Sequence, residues 1–181
     1  MCKFVNLIVD KNNLLSQNTQ YLSNVIFLYL RYEKFLNDDY AAKVNYENIL
    51  NLIENCRDLF FVFLNEEDDD FAGFVYLDNL TGNNDKIHGG EITVCFEKKY
   101  WGKFTRQAAR EFFNYCFNTL GFTKIKAQIY PFNSRVKNIL TYSGFKKDGV
   151  LRGETMKNGK ITDVEVYSLL KSDFSEKFYE R

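Results

Sequence analysis

One histidine, one proline and one tryptophan stand among 181 residues, and the four cysteines form no CxxC pair. With a single imidazole and thiols scattered at Cys2, Cys56, Cys95 and Cys116, a zinc site lacks its ligand set, so no metal is expected. Thiols without a disulfide framework fit a reducing cytoplasm. An excess of charge of either sign is missing too. Lys plus Arg and Asp plus Glu number 24 each, so no net field draws the chain to nucleic acid or to an anionic membrane. No apolar run approaches the ~20 residues of a membrane span, and the first residues lack an apolar leader core. The chain is therefore expected to be soluble and cytoplasmic. No repeat, low-complexity segment or linker interrupts it.

What is present is apolar and aromatic. Hydrophobic residues make up 45%, with 18 Phe and 12 Tyr, which excludes a disordered chain and suffices for a sizeable core. Residues 3–9 read as a first strand. Asn18-Thr19 offers a cap for a helix that turns Leu22, Val25, Ile26, Tyr29, Tyr32 and Leu36 to one side. Asn45 caps a second helix, with Ile49, Leu50, Ile53 and Cys56 inward. Leu59–Leu64 is a buried strand, and the acidic turn Asn65–Asp70 leads into a partner strand, Phe71–Leu77. Residues 79–90, rich in Gly and Asn, read as a mobile loop.

The clearest stretch runs from Glu91 to Phe145. A strand (EITVCF) turns through EKKYWGK into a helix whose Thr105, Ala108, Ala109, Phe112, Phe113, Cys116, Phe117 and Leu120 form one apolar stripe. Gly121 suits a left-handed cap at its end. A strand (TKIKAQIY) and a second helix from Pro131-Phe132-Asn133 to Ser143-Gly144 follow. Two last strands, Lys146–Met156 and Ile161–Leu170, meet at Lys157-Asn158-Gly159-Lys160, where Asn-Gly signals a type I′ hairpin. A charged tail after Lys171 reads as a short helix or a frayed end. A helix that begins just after a strand presents unpaired N–H groups and the positive end of its dipole, which suits phosphate.

On these residues the chain resembles the GCN5-related N-acetyltransferases (GNAT), in the branch that includes ribosomal-protein N-terminal and diamine acetyltransferases. The pieces that carry the resemblance are GEITVCF, YWGK, QAAREFFNYCF, KIKAQIYPFNSR, YSGF and GVLRGETMKNGKITDVEVYSL, over roughly Phe71 to Leu170. The resemblance implies a single α/β (α+β) domain over 1–181. Its mixed, mostly antiparallel sheet of six to seven strands is flanked by helices and split at the central strands. Residues 1–58 would supply a strand and a helix pair over the acceptor side, 59–145 the central sheet and coenzyme-binding unit, and 146–171 the final hairpin.

The implied reaction moves an acetyl group from the co-substrate acetyl-coenzyme A to a primary amine of a protein N-terminus, a polyamine or another small amine, by direct attack. The backbone of Val94, Cys95 and Phe96 would hold the pantetheine arm and polarise the thioester. Gly102, Lys103, Phe104, Thr105, Arg106 and Gln107 would take the diphosphate, and Asn133 the coenzyme arm. Glu91 aligns with the base that deprotonates the amine, with His88 as a neighbour that titrates in range. Tyr142 or Tyr130 would protonate the thiolate, because Leu140 stands where many relatives carry a Tyr. Phe104 and Arg106 replace the small residues of the usual phosphate turn, and Phe does not take positive φ cheaply.

Three readings remain open. The first is the acetyltransferase, with an amine as partner and a homodimer as one assembly open to it. The second is an inactive binding or structural module of the same fold, its coenzyme site closed by Phe104. The third is nucleic-acid binding through Lys98, Lys99, Tyr100, Trp101 and Lys103, which zero net charge and the lack of a recognised motif disfavour. The acidic 65–70 turn is either solvated or an attraction for a cation or polyamine. Tyr29, Tyr32 and Tyr40 either pack ordinarily or line an acceptor pocket.

Overall fold

Alternating side chains decide how the sheet is faced. A computed structural model of the chain describes residues 2–10, 16–41, 44–83 and 86–174. Its strands are β1 (Cys2–Asn6), β2 (Phe60–Asn65), β3 (Phe71–Asn83), β4 (Lys86–Phe96), β5 (Lys124–Ile129), β6 (Lys146–Lys157) and β7 (Lys160–Leu170). Its helices are α1 (Leu22–Leu36), α2 (Tyr46–Cys56), α3 (Lys103–Asn118) and α4 (Ser134–Tyr142). The seven strands form one mixed sheet, as the resemblance implied, and their order is β1-β2-β3-β4-β5-β7-β6. β4 and β5 run parallel, while β1–β2, β2–β3, β5–β7 and β6–β7 are antiparallel. No helix among the described residues is long and apolar enough to cross a membrane.

The chain divides into two compact units. The first comprises Met1–Asn37, Ala41–Asp78 and Thr93–Ala108. Along β2, Phe60, Val62 and Leu64 face α1 and α2, where they join Val25, Leu28, Tyr29, Ile49, Ile53, Cys56, Phe74, Tyr76 and Cys95 in one buried cluster. Phe63 points to the opposite face, with its ring 5.3 Å from Phe96. This period-two division is what a sheet covered on both faces requires. Asn45 caps α2 as expected, its Oδ1 accepting the Asn48 N–H at 2.8 Å. Asn18 does not cap α1. It adopts a left-handed conformation (φ 57°), and its side-chain amide donates to the Asn6 carbonyl instead. The first strand is also shorter than expected, ending at Asn6, with an isolated bridge between Ile8 and Gln17.

The second unit comprises Asp38–Tyr40, Asn79–Ile92 and Ala109–Arg181. Phe112, Phe113, Cys116 and Phe117 of α3 are buried there, and Phe113 packs edge-on against Phe145 at 5.4 Å. Gly121 takes the left-handed conformation (φ 76°) expected past the end of α3. At the tip of the β6–β7 hairpin, Asn158 (φ 53°) and Gly159 (φ 70°) both have positive φ, as a type I′ turn requires. The carboxylate of Asp39 receives the N–H groups of Asn158 and Gly159 at 2.9 and 2.7 Å. Glu165 of β7, 8% exposed, lies 2.8 Å from both Lys137 and Lys147. Those two ammonium groups hold its carboxyl at about 2 and fasten the start of α4 to the strand.

The reading of 79–90 as a loop is overturned. β3 runs on to Asn83 and β4 starts at Lys86, with residues 84 and 85 outside the described residues. The glycines taken for loop residues serve a close approach. A Cβ on Gly89 would sit 2.6 Å from the Lys124 carbonyl of the parallel neighbour. Within the C-terminal tail, residues 171–174 are helical and Phe174 is buried; the rest of that segment lies outside the described residues.

Candidate functional site

β4 is the strand from which the candidate site is built. Its ladder with β5 spans three pairs, Gly89–Lys124, Gly90–Ile125 and Glu91–Lys126, whereas β5 continues beside β7 to Ile129. The parallel pairing therefore ends at Glu91. In the second unit the Glu91 carboxylate accepts a hydrogen bond from Gln128 Nε2 at 3.0 Å. Gln128 lies two residues beyond Glu91's cross-strand neighbour Lys126, and so on the same face. His88 is also on β4 rather than in a loop; it is exposed, and its carbonyl accepts from the Thr123 N–H.

The rest of β4 belongs to the first unit. Val94 and Phe96 are half-buried, and Cys95 is buried among the α1–α2 cluster, where burial pushes its thiol up to about 12. A thiol held neutral in this way is inert, so only the backbone of this stretch is available for chemistry. Beyond it, every step of the turn into α3 is tied down. Glu97 donates its N–H to the Ala72 carbonyl and receives Arg31 at 2.6 Å. Lys99 and Tyr100 both reach the carboxylate of Asp70, the tyrosine hydroxyl at 2.8 Å. Trp101 donates its indole N–H to the Phe96 carbonyl at 2.9 Å, and its ring lies 5.9 Å from that of Tyr32.

Gly102 (φ 100°) supplies the left-handed conformation that enters the helix. Its N–H donates to Thr105 Oγ1 at 3.1 Å, and its carbonyl accepts the first helical bond, from the Arg106 N–H, at 3.1 Å. The next three amides, on Lys103, Phe104 and Thr105, find no acceptor among the described residues, as expected at a helix start. No acidic residue stands in this first turn, whereas Lys103 and Arg106 do, so the positive end of the dipole is reinforced rather than offset. This combination suits an anion.

Phe104 is helical here, so the positive φ that would have excluded it falls on Gly102 alone. Its ring packs against Tyr100 at 4.8 Å and Phe96 at 6.2 Å. Arg106 directs its Nε to the Gly102 carbonyl at 3.3 Å. Gln107 is half-buried in the same turn.

In the second unit Asn133 caps α4, its Oδ1 accepting the Val136 N–H at 3.4 Å. Leu140 of α4 is buried, while Tyr142, the last residue of that helix, is 40% exposed. Tyr130 stacks on Phe132 at 5.3 Å; burial, with Asp38 and Asp39 adding to it, pushes its hydroxyl up to about 12. Of the tyrosines read as pocket residues, Tyr29 is buried, Tyr32 rests against Trp101, and Tyr40 is 72% exposed. The acidic turn is largely paired. Asp69 meets Lys3 at 2.5 Å, Asp70 meets Lys99 and Tyr100, and Asp68 receives the Asn65 side-chain amide at 2.8 Å. Among the described residues no group of three or more His, Cys, Asp or Glu is placed to hold a metal.

Sequence reasoning missed Gln128, the partner of Glu91 in the second unit, and Asp70 and the indole of Trp101, which hold the turn of the first unit. Gln128 was open to discovery once β5 was set beside β4, because alternate residues share a face. Asp70 was not, since its partners lie about 30 residues away in sequence.

The chain is similar to known proteins in sequence and in fold. Residues 25–146 match the family model described as an acetyltransferase (GNAT) domain. An uncharacterized N-acetyltransferase, p20 of Bacillus licheniformis, is 28% identical over 126 residues, covering 68% of this chain and 67% of that protein. Among solved structures, the ribosomal-protein-S5-alanine acetyltransferase of Vibrio fischeri is similar in fold, with a TM-score of 0.70 at 18% identity over 96% of this chain and 94% of that one. A mutant of the spermidine N-acetyltransferase SpeG of Vibrio cholerae has a TM-score of 0.71 at 18% identity, over 87% and 92% of the two chains.

Proposed function

Since the chain belongs to the GNAT acetyltransferase family, we propose that it transfers the acetyl group of acetyl-coenzyme A to a primary amine by direct attack. The observation that carries this reading is the start of α3. There the unpaired amides of Lys103, Phe104 and Thr105 lie in a turn with two cations and no acid. The coenzyme diphosphate binds those amides, and Lys103 and Arg106 add charge. The ring of Phe104, seated on Phe96 and Tyr100, supports an open rather than a plugged turn. The backbone of Val94–Phe96 holds the pantetheine arm and polarises the thioester carbonyl, and Asn133 contributes a further contact to the arm.

An alkylammonium with a pKa near 10.4 must lose a proton before it can attack. Glu91 takes that proton, directly or through water. The neutral nitrogen then bonds to the carbonyl carbon and gives up its second proton to solvent, as the C–S bond breaks and the thiolate departs. With a thiol pKa of about 8.5 the thiolate leaves with little help, and it takes a proton from solvent or from Tyr142, which solvent then reprotonates. Positioning supplies much of the rate, since bringing two reactants together in register is worth up to about 7–11 kcal/mol. The four buried cysteines, none of them in a disulfide, suit a cytoplasmic setting. The acceptors in the neighbours' names, ribosomal protein S5 alanine and spermidine, bound where this chain's own acceptor is to be sought.

The test is release of free coenzyme A thiol from acetyl-coenzyme A in the presence of spermidine or of a peptide with a free α-amine. Amine-dependent release is expected, together with stabilisation of the fold by about 2.7 kcal/mol at a hundred times the dissociation constant. Neither release nor stabilisation at millimolar coenzyme would leave a binding or structural module.

A further inference from the structure

The turn before α3 is held from outside itself. Asp70, at the end of the β2–β3 hairpin turn, receives both Lys99 and the Tyr100 hydroxyl on one oxygen, Oδ2. Its own backbone is fixed in the hairpin, where its carbonyl accepts the Asn65 N–H at 2.9 Å and its N–H donates to Asp68 Oδ1 at 3.1 Å. Tyr100 in turn lays its ring 4.8 Å from Phe104, which lies in the first turn of α3. A continuous path thus leads from a hydrogen-bonded hairpin turn, through a carboxylate and a phenol, to the first turn of the helix. The second tether, Trp101 to the Phe96 carbonyl, fixes the other side of the same turn. Where a glycine-rich turn would shape itself around a ligand, this one is braced by aromatic rings.

We propose that Asp70 is a positioning residue for coenzyme binding: it anchors Tyr100 and so sets the placement of the Phe104 amide and its neighbours. This rests on the reading of α3 as the diphosphate site. Asp70 contacts neither substrate nor reacting atoms; it acts through Tyr100.

Charge alone predicts the opposite sign, and that makes the proposal sharp. Coenzyme A is polyanionic, so deleting a nearby carboxylate should tighten its binding if simple repulsion governs. A positioning role predicts that binding weakens. Trp101 is the only tryptophan of the chain and lies in this turn, so its fluorescence reports the site directly.

The experiment is a titration of the full chain with coenzyme A, followed by Trp101 emission. Asp70→Ala is expected to bind about tenfold more weakly, and Asp70→Asn, which still accepts from the Tyr100 hydroxyl, less so. Tyr100→Phe keeps the ring on Phe104 but loses the tether, and should match Asp70→Ala. The double variant should be no worse than either single, because both remove one link. Asp69→Ala, which removes a carboxylate from the same turn but one paired with Lys3, should leave affinity unchanged. Without ligand, acrylamide should quench Trp101 more readily in Asp70→Ala than in the unaltered chain. Unchanged or tighter binding in Asp70→Ala, additive losses in the double variant, or unchanged quenching would each overturn the proposal. Failure of the unaltered chain to bind coenzyme A would instead overturn the diphosphate reading, with the quenching arm still deciding whether Asp70 holds the turn.

Discussion

Glu91→Gln is expected to slow acetyl transfer about 100-fold at pH 7, the lower end of what a positioned general base contributes, while coenzyme affinity stays within about twofold. The substitution is nearly isosteric, and a glutamine at this position still offers an oxygen to Gln128 Nε2, so the end of the β4–β5 ladder keeps its hydrogen bond. What it loses is the ability to take a proton from the ammonium group of the acceptor. The pH profile separates that loss from a structural one. As the pH rises toward 10 the amine deprotonates in solution, and the deficit should shrink. A rate equal to that of the unaltered enzyme at pH 7, or a deficit that does not vary with pH, would remove Glu91 as the base.

Gly73→Ala should have the largest effect on stability and on coenzyme binding together. Gly73 of β3 faces the end of β4, where a Cβ would overlap the Cys95 carbonyl and sit 2.8 Å from Phe96 Cα. Backbone cannot rotate aside as a side chain can. The strand end must move, at a cost near the upper limit for overpacking, about 3 kcal/mol. For a chain of this length that is a fall of about 6–12 °C in the unfolding midpoint. Because Cys95 and Phe96 carry the backbone assigned to the pantetheine arm, coenzyme affinity should fall more than tenfold in protein that remains folded. A variant that melts with the parent and binds as well would show that β3 and β4 have slack there.

Much of the architecture was legible because it follows from local periodicity. The apolar run Leu59–Leu64, the stripe on α3, the Asn45 cap and the Asn158-Gly159 turn each depend on residues within a few positions of one another. The failures have a common physical cause. Residues 79–90 carry loop-like composition, yet Gly89 is small because Lys124 of another strand presses on it, a reason that lies 35 positions away in sequence. Asn18 has a capping side chain, but the Asn6 carbonyl competes for it. Phe104 read as an obstacle because the glycine it replaces was assumed to need positive φ. That conformation falls two residues earlier, at Gly102, and leaves Phe104 to pack. The base role proposed for Glu91 comes from resemblance alone; its hydrogen-bond partner Gln128 emerged once the strands were paired.

If the amides opening α3 hold a diphosphate, amide-resolved NMR during titration with acetyl-coenzyme A reads that contact itself. The largest shifts on titration are expected on the backbone N–H groups of Lys103, Phe104 and Thr105, with the same midpoint as the thermal stabilisation. Saturating coenzyme that leaves those three signals in place would contradict it.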